Sequence, residues 1–557
     1  MPALSTRQGA TESGLAQAPL SRRYIIPVSG KPHPASSGGT VMPRVARSVS
    51  LPLALDRSAG VPLSRQLYRA LREAILSGRL RPGEALPASR RLAEELGISR
   101  ITVLQAYDDL RADGYITGQA GSGTFVAALP RPPHDAPDAA PGRASPAAVR
   151  TPDGSERLPR VPLSAWAQRV AAHQPLRDGG LRPQRRLRYD FDPTAPDWAS
   201  FPQGVWARLL GRHLRGAGSA LARYGDPAGY GPLREALAAY LRAARGVPAE
   251  PGQVVIVSGT QQALDLLLRL TVDPGAAVLV EEPGYPGVRA AAAAYGARVV
   301  PVPVDAQGLV IEQLAAATTE LDRPPAVVHV TPAYQYPTGA VLPLPRRLAL
   351  LDWAAQSGAL VVEDDYDTAF ASPQRPVEAL TSLDRHGRAV YLGSFSSVLL
   401  PPLRLACAVL PPTLVEPFVA AKWLADRQTP TLEQQVLAAF LTEGYYTRHL
   451  ERVRALYRAR RAALEEAVAR ELAGVARLAP TTAGAGLHAL LWLDPRLDEA
   501  AVVAAAAEQD VAVYPASPCY TAPEHPPALL LGYAALTVEE IHEGVRRLAR
   551  ALQGLLR

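Results

Sequence analysis

Residues 391–410, YLGSFSSVLLPPLRLACAVL, decide how most of this chain is interpreted. A short apolar run ends at Gly393, small hydroxyl residues follow, and Arg404 stands just ahead of a second apolar run. A strand, a hydroxyl-rich turn and an arginine suit an anion site, because hydroxyls and amides hold a phosphate and a guanidinium matches its charge. Taken alone, the segment also fits a buried strand pair with serines in its turn.

Short β-branched runs surround this stretch and alternate with helical patterns. These runs cover residues 254–257, 277–280, 327–330, 360–362 and 390–392. Such alternation predicts an α/β fold with a largely parallel sheet that helices cover on both faces. Ligands bind these sheets beyond the carboxyl ends of the strands, so the residues that follow each run form the candidate site.

Polar and aromatic residues of a suitable kind follow these runs. Residues 258–261, SGTQ, open a helix whose first amides suit an anion. Asp364 and Tyr366 end another strand, where a carboxylate can hold a protonated pyridine nitrogen. Tyr285, in EEPGYPG, can stack on a flat ring, although core packing is the usual role of a single tyrosine. Tyr224 lies in the glycine-rich segment YGDPAGYGPLREAL.

In this order, the segments resemble the class I aminotransferase-like domain of MocR-type regulators, a fold-type I pyridoxal-phosphate domain, over about residues 161–557. The resemblance implies a site for pyridoxal 5′-phosphate. It assigns the phosphate to Gly259, Thr260, Gln261, Ser394, Ser396 and Arg404, ring stacking to Tyr285, the pyridine nitrogen to Asp364, the ring hydroxyl to Tyr366, and a reach across a dimer interface to Tyr224.

The same resemblance marks a departure at residue 397. The family carries S-F-S-K ahead of L-R, and its lysine forms a Schiff base with the cofactor, whereas this chain has Ser397. A hydroxyl cannot form an imine, so we expect no catalytic residue here and at most non-covalent binding of the cofactor. The only lysines are Lys31 and Lys422, and neither lies near the motif in sequence.

A second pattern occupies residues 51–127. Apolar residues at helical spacing over 63–74 predict a helix that Gly78 ends, and a short second helix ends at Gly97. Ser99 can cap a third helix. Two helices joined around a glycine are typical of a helix-turn-helix, and residues 115–126 predict a hairpin, the wing. The whole segment resembles the GntR-type winged helix, with a small helical domain bearing solvated arginines as the alternative.

The third helix is predicted to read duplex DNA. Arg100 and Thr102 fall in its first turn, where a recognition helix meets base edges and arginine pairs bidentately with guanine. Arg90 and Ser99 suit phosphates or bases, and the resemblance adds Gly121 in the turn of the wing.

The distribution of charge agrees with a polyanionic partner. The 557 residues carry a net charge of +7. Residues 1–127 have 16 Lys or Arg against 9 Asp or Glu, a net of +7, whereas residues 189–557 have 32 against 38, a net of −6. A basic front end on an acidic body favours nucleic acid as the partner, with solvated basic surface as the alternative.

Composition completes the predicted organisation. We expect a disordered N-terminal extension (1–50), the winged helix (51–127), a Pro/Ala/Arg-rich linker (128–160) and the aminotransferase-like domain (161–557), with a large part over about 200–430 and a smaller α+β part over about 431–557. No apolar run is as long as a membrane span and no cysteines or histidines have metal-ligand spacing, so we expect a cytoplasmic protein without a metal or membrane partner.

Three functions fit these patterns. The first is a DNA-binding, homodimeric transcriptional regulator whose aminotransferase-like domain senses a small-molecule effector, such as an amino compound or an adduct of pyridoxal phosphate. The second is a working aminotransferase with a fused DNA-binding domain, against which the missing lysine weighs directly. The third is a regulator whose α/β body serves only for dimerisation.

Overall fold

The computed structural model describes residues 23–29, 46–52, 55–119, 123–128, 161–172, 187–216, 218–370, 377–481 and 486–557. The chain forms two compact units, Met1–Arg160 and Val161–Arg557. None of the helices in these ranges combines the length and the apolar character that crossing a membrane requires.

The described part of the first unit is a three-helix core with a small sheet. Its elements are β1 (Arg23–Ser29), β2 (Ala46–Pro52), α1 (Leu63–Leu76), β3 (Ala85–Leu86), α2 (Ser89–Leu96), α3 (Arg100–Ala112), β4 (Ile116–Gln119) and β5 (Gly123–Val126). Leu71 of α1, Leu92 of α2 and Val103 of α3 are fully buried in one core, as the helical spacing of apolar residues requires. Gly97 ends α2 in the left-handed conformation at φ 64°.

The wing is confirmed as an antiparallel hairpin. Strands β4 and β5 pair from Ile116 with Val126 to Gln119 with Gly123. The sequence missed β3, which pairs with β5 and joins the hairpin to the helices. The sheet has the order β2-β1-β3-β5-β4.

The prediction of disorder over residues 1–50 is wrong for the segments that the structure describes. Strands β1 and β2 pair antiparallel along seven residues, and Ser29 of β1 pairs with Ala85 of β3. Each strand is a seven-residue segment that contains several apolar residues, RYIIPVS and ARSVSLP. Composition averaged over fifty residues hides such short runs. Other predictions for residues 1–50, and the predicted linker from residue 129 to 160, lie outside the described residues.

The second unit contains α/β and α+β parts. Its helices are α4 (Ala165–Ala171), α5 (Gln203–Gly216), α6 (Gly231–Arg245), α7 (Thr260–Thr271), α8 (Pro286–Ala294), α9 (Glu312–Thr318), α10 (Leu344–Ser357), α11 (Leu380–Leu383), α12 (Pro412–Asp426), α13 (Thr431–Thr442), α14 (Tyr445–Glu471), α15 (Glu499–Glu508) and α16 (Val538–Leu555). Its strands are β6 (Tyr189–Asp190), β7 (Val254–Val257), β8 (Ala277–Glu282), β9 (Arg298–Asp305), β10 (Gly308–Leu309), β11 (Val327–Val330), β12 (Leu360–Asp365), β13 (Ala389–Ser394), β14 (Ala406–Val409), β15 (Ala476–Leu478), β16 (His488–Leu493), β17 (Val511–Ala512), β18 (Tyr514–Pro515) and β19 (Ala528–Gly532).

The main sheet has eight strands in the order β10-β9-β8-β11-β12-β13-β14-β7. Strands β9, β8, β11, β12 and β13 run parallel, which confirms the largely parallel sheet. Strand β14 is antiparallel to both of its neighbours, β13 and β7, and β10 is antiparallel to β9. All five predicted strands are present, and two of them, β12 and β13, extend beyond the apolar run to polar residues that line the site.

Helices cover both faces of this sheet, because its buried strands present apolar side chains alternately to each face. On β12, Val362 belongs to the core that includes Leu264 of α7 and Phe418 of α12. Its neighbour Val361 belongs to the opposite core, with Leu350 of α10.

The C-terminal part of the unit is built on a second sheet, β15-β16-β19-β18, whose neighbours are all antiparallel. Helices α14 and α16 share the core of this sheet through Leu464 and Val545, which pack with Leu529 of β19. This is the α+β architecture expected at the C-terminus. Strand β16 begins at His488, close to the cavity described next.

Candidate functional site

A cavity of about 360 Å³ lies beyond the carboxyl ends of β7, β12 and β13. It brings together nine of the ten residues predicted to hold a cofactor, which are Gly259, Thr260, Gln261, Tyr285, Asp364, Tyr366, Ser394, Ser396 and Arg404. Because parallel strands end at one edge of the sheet, residues from four separate motifs meet here.

The helix α7 begins at this cavity. Gly259 precedes its first residue with φ 117° and ψ 159°, a conformation that side chains other than hydrogen rarely allow. A Cβ atom at Gly259 would lie 3.0 Å from Cζ of Arg404, so the guanidinium lies directly over the glycine. The first amides of a helix and an adjacent guanidinium together form an anion site.

Arg404 reaches this position from a tight turn. It follows a short 3-10 helix, Pro401–Leu403, and has φ 51°. Two serines from the end of β13 complete this side of the cavity, where the Ser396 amide donates to Ser394 Oγ over 3.2 Å. The residues predicted to contact a phosphate therefore lie together.

An aromatic residue, Tyr285, lines the same cavity. The Tyr285 hydroxyl donates to Gln261 Oε1 over 3.1 Å, which fixes the ring beside the start of α7. Burial, followed by the nearby Asp364 carboxylate, raises the pKa of Tyr285 to about 12, so the hydroxyl remains protonated. The ring lies 6.4 Å from that of His329, with 29° between their planes.

Asp364 is the penultimate residue of β12 and lines the cavity. Its Oδ2 lies 3.6 Å from His329 Nε2, whereas Oδ1 is buried and has no hydrogen-bond partner among the described residues. An unpaired buried acceptor costs free energy unless a ligand satisfies it. A protonated ring nitrogen is a suitable donor.

Tyr366 presents a second uncommitted group. Its hydroxyl is buried and has no partner among the described residues. Burial raises the pKa of Tyr366, so the hydroxyl is a donor at neutral pH. The ring stacks on His488 with 6.2 Å between centroids and 16° between planes.

Ser397 lines the same cavity and is hydrogen-bonded to the chain itself. Its Oγ donates to the Tyr366 carbonyl over 2.6 Å. Lys422 does not replace the missing lysine. Its ammonium is fully buried on α12, within 3.0 Å of both oxygens of Asp426, and it does not line the cavity. Asp426 in turn accepts from Gln262 of α7 over 2.6 Å, so the lysine supports the helix.

Tyr224 lies outside the cavity. Its side chain is 77% exposed, and the Arg427 guanidinium lies 5.1 Å from the ring centroid. An exposed position is what a residue that serves a partner's site needs.

Asp367 and His488 are among the lining residues that the sequence did not predict. Asp367 follows Tyr366 within the motif EDDYD, so the run of carboxylates was an available signal. His488 had no local signal, because it comes from β16 of the second sheet. Within the described ranges, no group of three or more His, Cys, Asp or Glu side chains is placed to hold a metal ion.

The residues predicted to read DNA lie in the first unit at the start of α3. Ser99 caps this helix, accepting from the Thr102 amide over 3.1 Å. Arg100 is exposed, and its Nε donates to Ser89 Oγ of α2 over 3.3 Å. Arg90 is exposed on α2, whereas Gly121 lies outside the described residues.

Family models match both units. The family Bacterial regulatory proteins, gntR family, matches residues 63–126. The family Aminotransferase class I and II matches residues 198–548, more than half of the chain. A solved α-aminoadipate aminotransferase, LysN of Thermus thermophilus, in complex with N-(5′-phosphopyridoxyl)-L-leucine, superimposes with a TM-score of 0.64 and 34% identity, covering 71% of this chain and 98% of that structure. These findings confirm the predicted fold-type I aminotransferase architecture.

Relatives that span both units are regulators. The probable rhizopine catabolism regulatory protein MocR of Rhizobium meliloti is 38% identical over 503 residues, which are 90% of this chain and 96% of the relative. The pyridoxine biosynthesis transcriptional regulator PdxR of Corynebacterium glutamicum is 30% identical over 448 residues, covering 80% and 87%. Because the likeness runs through the winged helix and the aminotransferase-like unit together, this chain belongs to the MocR-type family of helix-turn-helix transcriptional regulators.

Proposed function

We propose that the protein is a homodimeric, DNA-binding regulator whose aminotransferase-like unit binds pyridoxal 5′-phosphate, or an adduct of it with an amino compound, without a covalent bond. The observation that carries this proposal is the cavity itself. It gathers an anion cradle, a stacking ring and two uncommitted buried groups, but a serine in place of the lysine.

The residues present fit a phosphorylated pyridine. Arg404 and the first amides of α7 would hold the phosphate, and Tyr285 would cover the ring. Asp364 Oδ1 would accept from the ring nitrogen and the Tyr366 hydroxyl would meet the ring oxygen, so both buried groups would gain the partner they lack. When bound, the cofactor would supply an electron-poor ring, which Asp364 keeps protonated.

Ser397 would make this binding reversible. The serine hydroxyl is hydrogen-bonded to the Tyr366 carbonyl and has no nitrogen with which to form an imine. The contacts to phosphate and ring would therefore carry all of the affinity. A ligand held in this way regulates DNA binding only to the extent that its affinity differs between the DNA-binding states.

Reduction with borohydride tests the absence of a covalent bond. Full-length protein would be mixed with pyridoxal 5′-phosphate, and binding followed by absorbance before and after dialysis. We expect a bound chromophore that dialysis removes, and no added mass on the Ser397 peptide after borohydride treatment. The Ser397→Lys variant should instead gain the mass of the reduced cofactor at that peptide.

An exposed serine provides the control for unspecific reaction of aldehydes with lysine. Ser58 lies in the first unit and is exposed, so Ser58→Lys should add no saturable site. Covalent attachment in the wild-type cavity would overturn the proposal in favour of the aminotransferase alternative. Absence of any binding, in the wild type and in Ser397→Lys, would favour a body that serves only for dimerisation.

A further inference from the structure

Asp367 is a buried carboxylate with one oxygen, Oδ1, that the proposed cofactor contacts leave without a partner. Its side chain is 2% exposed and lines the cavity. Oδ2 accepts from the Leu487 amide over 3.0 Å, whereas Oδ1 is buried with no partner among the described residues. Leaving an acceptor unpaired in this way is costly, and more so when the group is ionised.

The described residues around Asp367 offer it no cation. Burial raises the pKa of Asp367 to about 7 and the Asp365 carboxylate raises it further, whereas the Leu487 amide and the neighbouring Ser397 hydroxyl lower it, and none of these groups is a cation. His488 lines the same cavity, but burial and then Arg461 lower its pKa to about 4, so the ring is neutral at pH 7. Near neutral pH the carboxylate is therefore partly ionised without a counter-ion.

The charges that line the cavity are two carboxylates, Asp364 and Asp367, and one guanidinium, Arg404. A bound phosphate would use Arg404, and a protonated ring nitrogen would pair with Asp364. A phosphorylated pyridine with no other cation would thus leave Asp367 unsatisfied. A second positive charge on the ligand would complete the balance.

We propose that Asp367 recognises an ammonium group on the ligand, so that the cavity selects a phosphorylated pyridine that carries an amine over one that carries an aldehyde or a hydroxyl. This inference rests on the proposed function and deepens it. Ser397 lies beside Asp367 in the cavity, where its short side chain leaves room that a lysine would fill. The ligand then supplies the amine that the chain lacks.

Calorimetric titration of the full-length protein with two matched probes tests this selectivity. Pyridoxamine 5′-phosphate and pyridoxine 5′-phosphate share ring and phosphate and differ in an aminomethyl against a hydroxymethyl group. We expect the amine to bind about 10-fold to 100-fold more tightly, as a charge-assisted hydrogen bond implies. Asp367→Asn should reduce the affinity for the amine to that of the hydroxyl compound, and should change the hydroxyl compound less than about threefold.

Two further variants separate failure of the amine recognition from failure of the cofactor site as a whole. Asp364→Asn should weaken both probes by a similar factor, because both carry the ring nitrogen. Ser397→Lys places an ammonium in the protein and should abolish the preference, even if Asp367→Asn does not fold. Equal affinities of the wild type for the two probes, or equal losses of both in Asp367→Asn, would overturn the inference. Binding of neither probe to the wild type would instead overturn the proposed function.

Discussion

The anion cradle depends on a glycine that no other residue can replace without cost. Gly259→Ala places a methyl group 3.0 Å from Arg404 Cζ, at a backbone φ of 117°. Holding alanine in that region costs about 1–3 kcal/mol. The guanidinium can move aside because it ends a long flexible side chain, so the steric conflict should appear in ligand binding more than in stability.

If Arg404 holds the phosphate as proposed, displacing the guanidinium removes a charge-assisted hydrogen bond worth about 1.5–3 kcal/mol. We therefore expect Gly259→Ala to weaken pyridoxal 5′-phosphate by about 10-fold to 150-fold, measured by absorbance titration. Pyridoxal without the phosphate should be affected far less. Urea unfolding of the same samples should show the separate cost in stability.

A matched glycine and a double variant make the result decisive. Gly231 lies at the exposed start of α6, and a Cβ atom there would meet no atom within 4 Å, so Gly231→Ala should change neither the ligand affinity nor the stability. In an Arg404→Ala background, Gly259→Ala should cost stability as before but little further affinity. If Gly259→Ala binds pyridoxal phosphate like the wild type, Arg404 does not hold the phosphate and the assigned cradle is wrong.

Three further outcomes are expected. Arg100→Ala should weaken operator binding by about 1–3 kcal/mol and relax the sequence preference in a gel-shift assay. The control Arg79→Ala, at a residue that follows α1 and pairs with Glu73, should change neither. Unchanged affinity for Arg100→Ala would contradict the assigned docking. Tyr224→Ala should weaken a dimer about tenfold or more in sedimentation equilibrium, and a monomeric wild type at micromolar concentration would exclude that role. Burial raises the pKa of Glu363 to about 7 from 4.5, so its ionisation destabilises the folded state as the pH rises through this window. Glu363→Gln should therefore increase the free energy of unfolding by on the order of 2 kcal/mol at pH 8 but change it little at pH 4.5. An equal gain at both pH values, by thermal unfolding, would contradict it.

Local sequence was sufficient to predict a structural feature wherever the residues of a single helix or strand determine it. Apolar periodicity located the five core strands, because strands buried on both faces need unbroken β-branched runs. The serine before α3 and the glycine after α2 marked helix ends through their own hydrogen bonds and φ values. The polar residues after β7, β8, β12 and β13 could be placed at one edge of the sheet for the same reason, whereas their roles toward a cofactor followed only from the family resemblance.

Pairing between distant segments was decided only by the tertiary structure. Strand β14 lies between β13 and β7 and opposes both, although nothing in its own sequence states a direction. His488 enters the cavity from a second sheet, and Lys422 is held by Asp426 on the same helix instead of reaching the cavity. The sequence shows Asp367 in the motif EDDYD. Its lack of a neighbouring cation depends on which groups the fold buries around it, and burial is a property of the whole packed chain.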